Sequence, residues 1–159
     1  MKRLFLDCEF TNLESPSLIS IGLVSEDDAL AFYGVCEDFD RSACSEFVRS
    51  RVLPLLHQPV PGAGAAAGGT MPLRHLRHAL TDWLQAIPGE VEILFEAEID
   101  WALFKDLVGH VPGRIQGRNA REDVAWIGDW HGEYAHHALH DARCLRFDWL
   151  HRGGTGEAV

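Results

Sequence analysis

The chain has 159 residues, a hydrophobic fraction of 47% and a formal net charge of −10. This composition excludes an intrinsically disordered chain and predicts one globular domain over residues 1–152, followed by a disordered tail over residues 153–159. Its apolar runs are shorter than the roughly 20 residues that span a membrane, and four cysteines without a CxxC pair favour a reducing, cytoplasmic location. The negative charge argues against a broad nucleic-acid-coating surface, although it leaves room for a local basic rim.

Three apolar segments near the N-terminus have the length and alternation of β-strands. They cover residues 3–10, 18–24 and 29–36. Short turn-forming stretches separate them, so they are predicted to form an antiparallel meander.

The next segments show helical spacing. Ser45 to Leu56 is predicted to be a helix, and the stretch from Val60 to Thr70, rich in Pro, Gly and Ala, a mobile surface loop. A second helix is expected to run to about Ile87, with Thr70 as its cap and Pro72 in its first turn.

A strand and two further helices follow. The strand is predicted over residues 91–95, and the helices over residues 99–108 and 135–150. The stretch from 113 to 132 has no clear pattern, although residues 124–127 fit a helix. Strands first, then helices alternating with strands, indicate an α/β fold with a mixed sheet.

Two acidic residues share one face of the first strand. Asp7 and Glu9 are two positions apart, and strand side chains alternate between faces. Adjacent carboxylates repel each other unless a cation lies between them, and Mg²⁺ and Mn²⁺ prefer such oxygen ligands. The pair taken alone is more typical of a solvated strand end than of a metal site.

Two further acidic residues complete a recognisable order. Asp100 heads a helix after a strand, where a first-turn acid is also favoured by the helix dipole, and Asp141 lies five residues after His136. The segments 7–13 (DCEFTNL) and 136–143 (HHALHDAR) resemble the D-x-E-x-T-G-L and H-x-A-L-x-D-x-R motifs of oligoribonucleases, members of the DEDDh 3′→5′ exonuclease superfamily. Asn12 occupies the usual Gly position, and we expect it to keep the turn by accepting left-handed geometry.

This resemblance implies a ribonuclease H-like fold, with a five-stranded mixed sheet of three antiparallel strands and then parallel strands, flanked by helices. It implies hydrolysis of single-stranded RNA, or of a 3′ overhang, by a two-metal mechanism with Mg²⁺ or Mn²⁺. Asp7, Glu9, Asp100 and Asp141 would hold the ions, and His136 would act as the general base. The alternative function is that of a DNA 3′→5′ exonuclease with the same fold. The resemblance also suggests a homodimer.

The resemblance also implies residues that bind substrate. Phe10 and Leu13 correspond to positions that contact the terminal nucleotides, Thr11 would contact the 3′ end, and Arg118 precedes the last motif at a place suited to phosphate. Glu96 and Glu98 are rivals of Asp100 for the third metal position.

Two other functions fit part of the sequence. His136, His140 and Cys144 recur every four residues and suggest a zinc site, although no complete zinc signature is present. A non-catalytic RNA-binding module of the same fold is the second alternative. For the nuclease, helical geometry places His136 beside Asp141 only if the last helix begins just after His136; otherwise His137 is the better neighbour.

Overall fold

One mixed β-sheet organises the chain. The structure is a computed structural model that describes residues 1–61, 65–122 and 132–152, without the side chain of Arg152. The strands are β1 (Lys2–Phe10), β2 (Leu18–Ser25), β3 (Ala31–Cys36), β4 (Ala67–Met71), β5 (Val91–Phe95) and β6 (Ile115–Asn119).

The sheet has the order β4-β3-β2-β1-β5-β6. β1, β2 and β3 pair antiparallel, whereas β5 pairs parallel with β1, β6 with β5, and β4 with β3. The antiparallel meander and the mixed α/β sheet are therefore confirmed. The predicted number of strands was wrong, because the sheet has six strands and not five.

The additional edge strand lies in the segment that was predicted to be a loop. Its sequence, Ala67–Met71, contains Gly68 and Gly69, and both adopt positive φ angles, of 103° and 132°. Such residues have no intrinsic preference for strands. Their backbone is ordered by the parallel ladder with β3, where Tyr33 pairs with Gly68, and this long-range contact is invisible to local patterns.

The described residues form three α-helices that pack on the sheet: α1 (Leu73–Ala86), α2 (Glu98–Val108) and α3 (Ala138–Arg152). The predicted helix near residues 45–56 is a short irregular segment, with a π-helical turn at Val48–Val52 and a 3₁₀ turn at Leu53–Leu55. Thr70 does not cap α1, because it belongs to β4. Instead Asp38 Oδ1 accepts a hydrogen bond from the backbone N–H of Leu73, at 2.8 Å.

The C-terminal third contains two differences from the expected pattern. β6 occupies part of the stretch that had no clear assignment, and α3 begins at Ala138, three residues later than predicted. The proposed helix over residues 124–127 and the tail over residues 153–159 lie outside the described residues. Within the described chain, no helix is both long and apolar enough to cross a membrane.

The side chains on the two faces of β1 pack against different helices. Leu4, Leu6 and Cys8 belong to a buried cluster that includes side chains of α1 and α2. Phe5, on the opposite face, packs with Leu145 and other side chains of α3. Because Asp7 and Glu9 follow Phe5 at intervals of two, their side chains point toward the α3 side of the sheet.

Candidate metal centre

The start of α3 approaches the sheet closely at Gly22. Gly22 lies in β2 directly opposite Asp7. A Cβ atom on Gly22 would lie 2.5 Å from the backbone carbonyl carbon and oxygen of Ala138 and 2.5 Å from the N atom of Leu139. The absence of a side chain at this position therefore brings the first turn of α3, and Asp141 with it, next to the acidic end of β1.

His136 stands on a tight turn immediately before α3. Its φ angle is +73°, a left-handed conformation that is uncommon outside glycine. The Asp141 side chain stabilises the turn, since its Oδ2 accepts a hydrogen bond from the His136 backbone N–H at 2.9 Å. α3 begins after His136, and this is the condition under which helical geometry places His136 beside Asp141.

This turn brings three predicted site residues together. The ligand atoms of Glu9, His136 and Asp141 all lie within 4.8 Å of one another. Oδ1 of Asp141 and Oδ2 of Asp7 are buried and accept no hydrogen bond from any described residue. Buried carboxylate oxygens without donors are costly unless a cation or a proton compensates them.

Asp100 reaches the same site from the first turn of α2. Its Oδ1 accepts a hydrogen bond from the backbone N–H of Cys8, and its Oδ2 accepts one from that of Ala97, each at 3.3 Å. The β1–β5 ladder ends at the pair of Leu6 and Phe95, so Cys8 lies just beyond it. Asp100 therefore bridges the end of β1 and the beginning of α2.

The four acidic groups perturb one another strongly. The pKa of Asp7 is raised well above its ordinary value by burial, and then by Asp100, Glu9 and Asp141. Burial also raises the pKa of Glu9, with Asp141 and Asp100 adding to the effect. For Asp100 and Asp141 burial is again the largest cause, and each pKa is raised to about 7.

The two rivals of Asp100 differ in their surroundings. Glu98 is exposed and its Oε1 accepts a hydrogen bond from Asn119 Nδ2 at 2.9 Å. Glu96 is closer to the acidic group, since its charge raises the pKa of Asp7, Asp100 and Asp141. Its carboxylate also forms an ion pair with Arg121. Glu96 therefore joins the rim of the site together with a positive side chain.

Two cavities flank the site. One, of about 290 Å³, lies beside Glu9 and includes Phe10, Leu13 and Phe47 in its wall. The other, of about 380 Å³, lies beside His136 and also includes Phe47. The Phe47 ring meets the His136 ring edge-on, with centroids 4.9 Å apart. Phe47 consequently separates the two cavities at the side of His136.

Phe47 and Gly22 were missed by the sequence analysis. Phe47 is 53% exposed, whereas Val48 and Val52 of the same segment are buried. An aromatic side chain outside the apolar face of this segment was the sequence feature that could have indicated a binding role. Gly22 interrupts the apolar run of β2, and a glycine inside a strand often marks a close backbone approach.

Two of the predicted substrate-binding residues are engaged elsewhere. Thr11 is fully buried, and its Oγ1 accepts a hydrogen bond from the Ser17 backbone N–H at 3.1 Å. Its own N–H and carbonyl bond to Ser17 and Ser45, so the structure does not bring Thr11 to either cavity. Arg118 forms an ion pair with Glu92, at 3.1 Å, and its contact with substrate stays a prediction.

Asn12 keeps its turn by a different means from the one expected. Among the described non-glycine residues only Asp28 and His136 have positive φ angles, so Asn12 is not left-handed. Its Oδ1 instead accepts hydrogen bonds from the backbone N–H groups of Glu14 and Ser15, at 3.0 and 2.8 Å. The Asn12 side chain therefore stabilises the turn by hydrogen bonds, and a left-handed backbone conformation is not needed.

His137 is buried and does not belong to the group formed by Glu9, His136 and Asp141. It is 2% exposed, and its ring stacks on that of Tyr33 with centroids 4.3 Å apart. Burial lowers the pKa of His137 to about 4, although the backbone of Gln58 partly offsets the effect. A ring held neutral in this way suits a packing role for His137.

The zinc grouping of His136, His140 and Cys144 is divided by the structure. His136 is grouped with Glu9 and Asp141, whereas His140 and Cys144 form a second group with Asp141. Asp141 is therefore common to both groups.

Comparison with models of known protein families, and with proteins of curated function, finds no match to this sequence.

Proposed function

We propose that this chain is a metal-dependent 3′→5′ exonuclease of the DEDDh type, with a ribonuclease H-like fold, acting on single-stranded RNA. The observation that supports this most directly is the meeting of five side chains at the carboxyl end of β1: Asp7, Glu9, Asp100, His136 and Asp141. They come from a strand, a helix start and a pre-helix turn that are far apart in sequence. The mixed sheet, with three antiparallel strands followed by parallel strands and helices packed on it, is compatible with this fold.

The acidic group fits divalent cations. Its potential ligands are carboxylate oxygens, which Mg²⁺ and Mn²⁺ prefer, and two of these oxygens are buried without a hydrogen-bond donor among the described residues. Asp7, Glu9, Asp100 and Asp141 would hold the ions. Bound divalent cations would supply electrostatic stabilisation of the charge that develops on the phosphodiester during hydrolysis.

His136 would accept the proton of the attacking water. One of its ring nitrogens lies within 4.8 Å of ligand atoms of Glu9 and Asp141. A histidine can accept a proton near neutral pH, and its neighbouring carboxylates would stabilise the imidazolium that forms. The turn that presents His136 is stabilised through its backbone by Asp141.

The terminal nucleotide would be bound in the cavity beside Glu9. Phe10, Leu13 and Phe47 provide apolar surface there, and a base stacked on an aromatic ring gains roughly 1–3 kcal/mol. Leu13 is 84% exposed, as expected for a side chain that packs on a ligand and not on the core. Such contacts act on any base and suit an enzyme that shortens a strand step by step.

A degradation ladder tests the proposed activity. Single-stranded RNA and DNA of equal sequence, labelled at the 5′ end, are incubated with the protein in EDTA, Mg²⁺ or Mn²⁺. Stepwise shortening that requires the metal and stops at a blocked 3′ end is expected, with RNA degraded faster than DNA. Faster degradation of DNA would assign the same chemistry to the other substrate.

Two variants control the experiment. Asp141→Asn removes a site carboxylate and should abolish shortening, whereas Asp82→Asn removes an exposed carboxylate of α1 and should not. Equal activity in EDTA, or equal activity of both variants, would contradict the metal mechanism. Binding of RNA without any turnover would favour a non-catalytic binding module.

A further inference from the structure

A second group of residues that could hold a metal ion lies on α3, four or more residues after His136. His140 and Cys144 are four residues apart, and Asp141 is three residues before Cys144, so all three occupy neighbouring positions of one helix surface. Their ligand atoms all lie within 4.8 Å of one another. Nitrogen, sulfur and oxygen donors in this combination favour Zn²⁺ over Mg²⁺.

The spacing of the two softer donors is close to that of a zinc site. His140 Nε2 lies 3.4 Å from Cys144 Sγ. Zinc binds nitrogen at roughly 2.0 Å and sulfur at roughly 2.3 Å, so tetrahedral ligands of these types lie roughly 3.6 Å apart. In the metal-free protein the same distance allows the thiol to donate a weak hydrogen bond to the imidazole. A zinc ion would replace the shared proton with little movement of either side chain.

The third donor is also prepared for a cation. Oδ2 of Asp141 accepts the His136 N–H, whereas Oδ1 is buried and accepts no hydrogen bond from the described part of the chain. Asp141 belongs as well to the group with Glu9 and His136. One carboxylate is therefore shared between an oxygen-rich site for hard ions and a neighbouring site with sulfur and nitrogen.

We propose that His140, Asp141 and Cys144 form an inhibitory site for Zn²⁺ that withdraws Asp141 from the catalytic cations. Zinc bound here takes up the charge of Asp141 and places a second positive ion beside the position that Mg²⁺ requires. Binding of zinc is independent of the function proposed above, whereas inhibition rests on it. The site would make the enzyme inactive when free zinc rises, with the thiol of Cys144 as its selective ligand.

Cobalt substitution tests binding without reference to activity. Co²⁺ is titrated into the metal-free protein, and the near-ultraviolet charge-transfer band that only a thiolate ligand produces is recorded. The band is expected in the wild type and in Cys44→Ser, which alters a buried thiol in the helical region near residue 48. It should be absent from Cys144→Ser and weakened in His140→Ala, with zinc competing for the same site. A band that survives in Cys144→Ser, or that is missing from the wild type, would overturn the proposal.

Inhibition is then measured as loss of the shortening activity at fixed Mg²⁺ with increasing zinc. Cys144→Ser should keep wild-type activity in Mg²⁺ and need at least ten-fold more zinc for half inhibition, while Cys44→Ser should behave as the wild type. Equal zinc sensitivity of all three proteins would refute the inhibitory role. A wild-type protein without any nuclease activity would refute the proposed function, and the cobalt spectra would still decide whether the metal site exists.

Discussion

Gly22→Ala tests whether the close approach of α3 to β2 positions the residues of the proposed active site. The added Cβ would lie 2.5 Å from backbone atoms of Ala138 and Leu139, whereas ordinary contact begins near 3.4 Å. Because backbone cannot rotate away as a side chain tip can, the first turn of α3 must withdraw by about 1 Å. Overpacking of this kind costs about 1–3 kcal/mol of folding free energy, or about 2–12 °C in Tm for a chain of this size. Asp141 moves with the turn, and a displacement of about 1 Å can reduce turnover by about 10²-fold.

The assay combines thermal unfolding with metal-dependent shortening of RNA well below Tm. Gly113→Ala is the matched control, because Gly113 has open space around its Cβ position and no positive φ angle. It should change neither Tm nor turnover appreciably. A Gly22→Ala protein with wild-type Tm and wild-type turnover would refute the claim that this contact positions the site. Reduced Tm with full turnover would separate helix docking from catalysis.

Three further predictions follow from the charges and positions of the site residues. The pKa values of Asp100 and Asp141 are about 7 in the folded protein, against about 4 in the unfolded chain. The folded state therefore binds more protons than the unfolded state, and the metal-free protein should lose stability as the pH rises from 4 to 7. Melting curves in EDTA should show a lower Tm at pH 8 than at pH 5, and Mg²⁺ should reduce the difference; a higher Tm at pH 8 in EDTA would contradict this. His136→Ala should lower kcat by about 10²-fold at saturating Mg²⁺ with little change in Tm. His137→Ala should lower Tm more than kcat, because this side chain is buried. The reverse pattern would exchange the roles of the two histidines. Asp100→Asn should cost far more kcat than Glu98→Gln, whose side chain is exposed and bonded to β6; an inactive Glu98→Gln would reassign the third metal ligand.

The sequence was most informative where residues close together in the chain determine the arrangement of the site. The pair Asp7 and Glu9 was placed on one face by strand alternation, and the structure keeps both on the α3 side. Helical geometry together with the motif required a helix start after His136, and α3 does begin there, although the residue pattern alone had placed its start at residue 135. In both cases a few neighbouring residues determine the arrangement, so no knowledge of the rest of the fold was needed.

Features that depend on distant contacts were missed. β4 and β6 are edge strands with few apolar side chains, and each is defined mainly by parallel pairing with a strand far away in sequence. Gly117 in β6 shows the same dependence, since a Cβ there would lie 2.4 Å from the ring of Trp101. The position of Glu96 beside the acidic group likewise follows from the β1–β5 ladder. Local patterns carry no information on such pairings, which tertiary structure alone supplies.

The acidic composition is consistent with a nuclease that holds its substrate through cations. Many arginines of the chain stabilise the fold. Arg3 pairs with Glu92, and Arg143 pairs with Asp28. Backbone carbonyls accept hydrogen bonds from Arg77, Arg114 and Arg146. Arg51 lines the cavity beside His136, and Arg121 pairs with Glu96 at the rim. These two are suited to phosphate contact close to the site. Long nucleic acids require an extended basic surface, so under the proposed function the rim formed by Arg51 and Arg121 would suit the 3′ end of a short single strand.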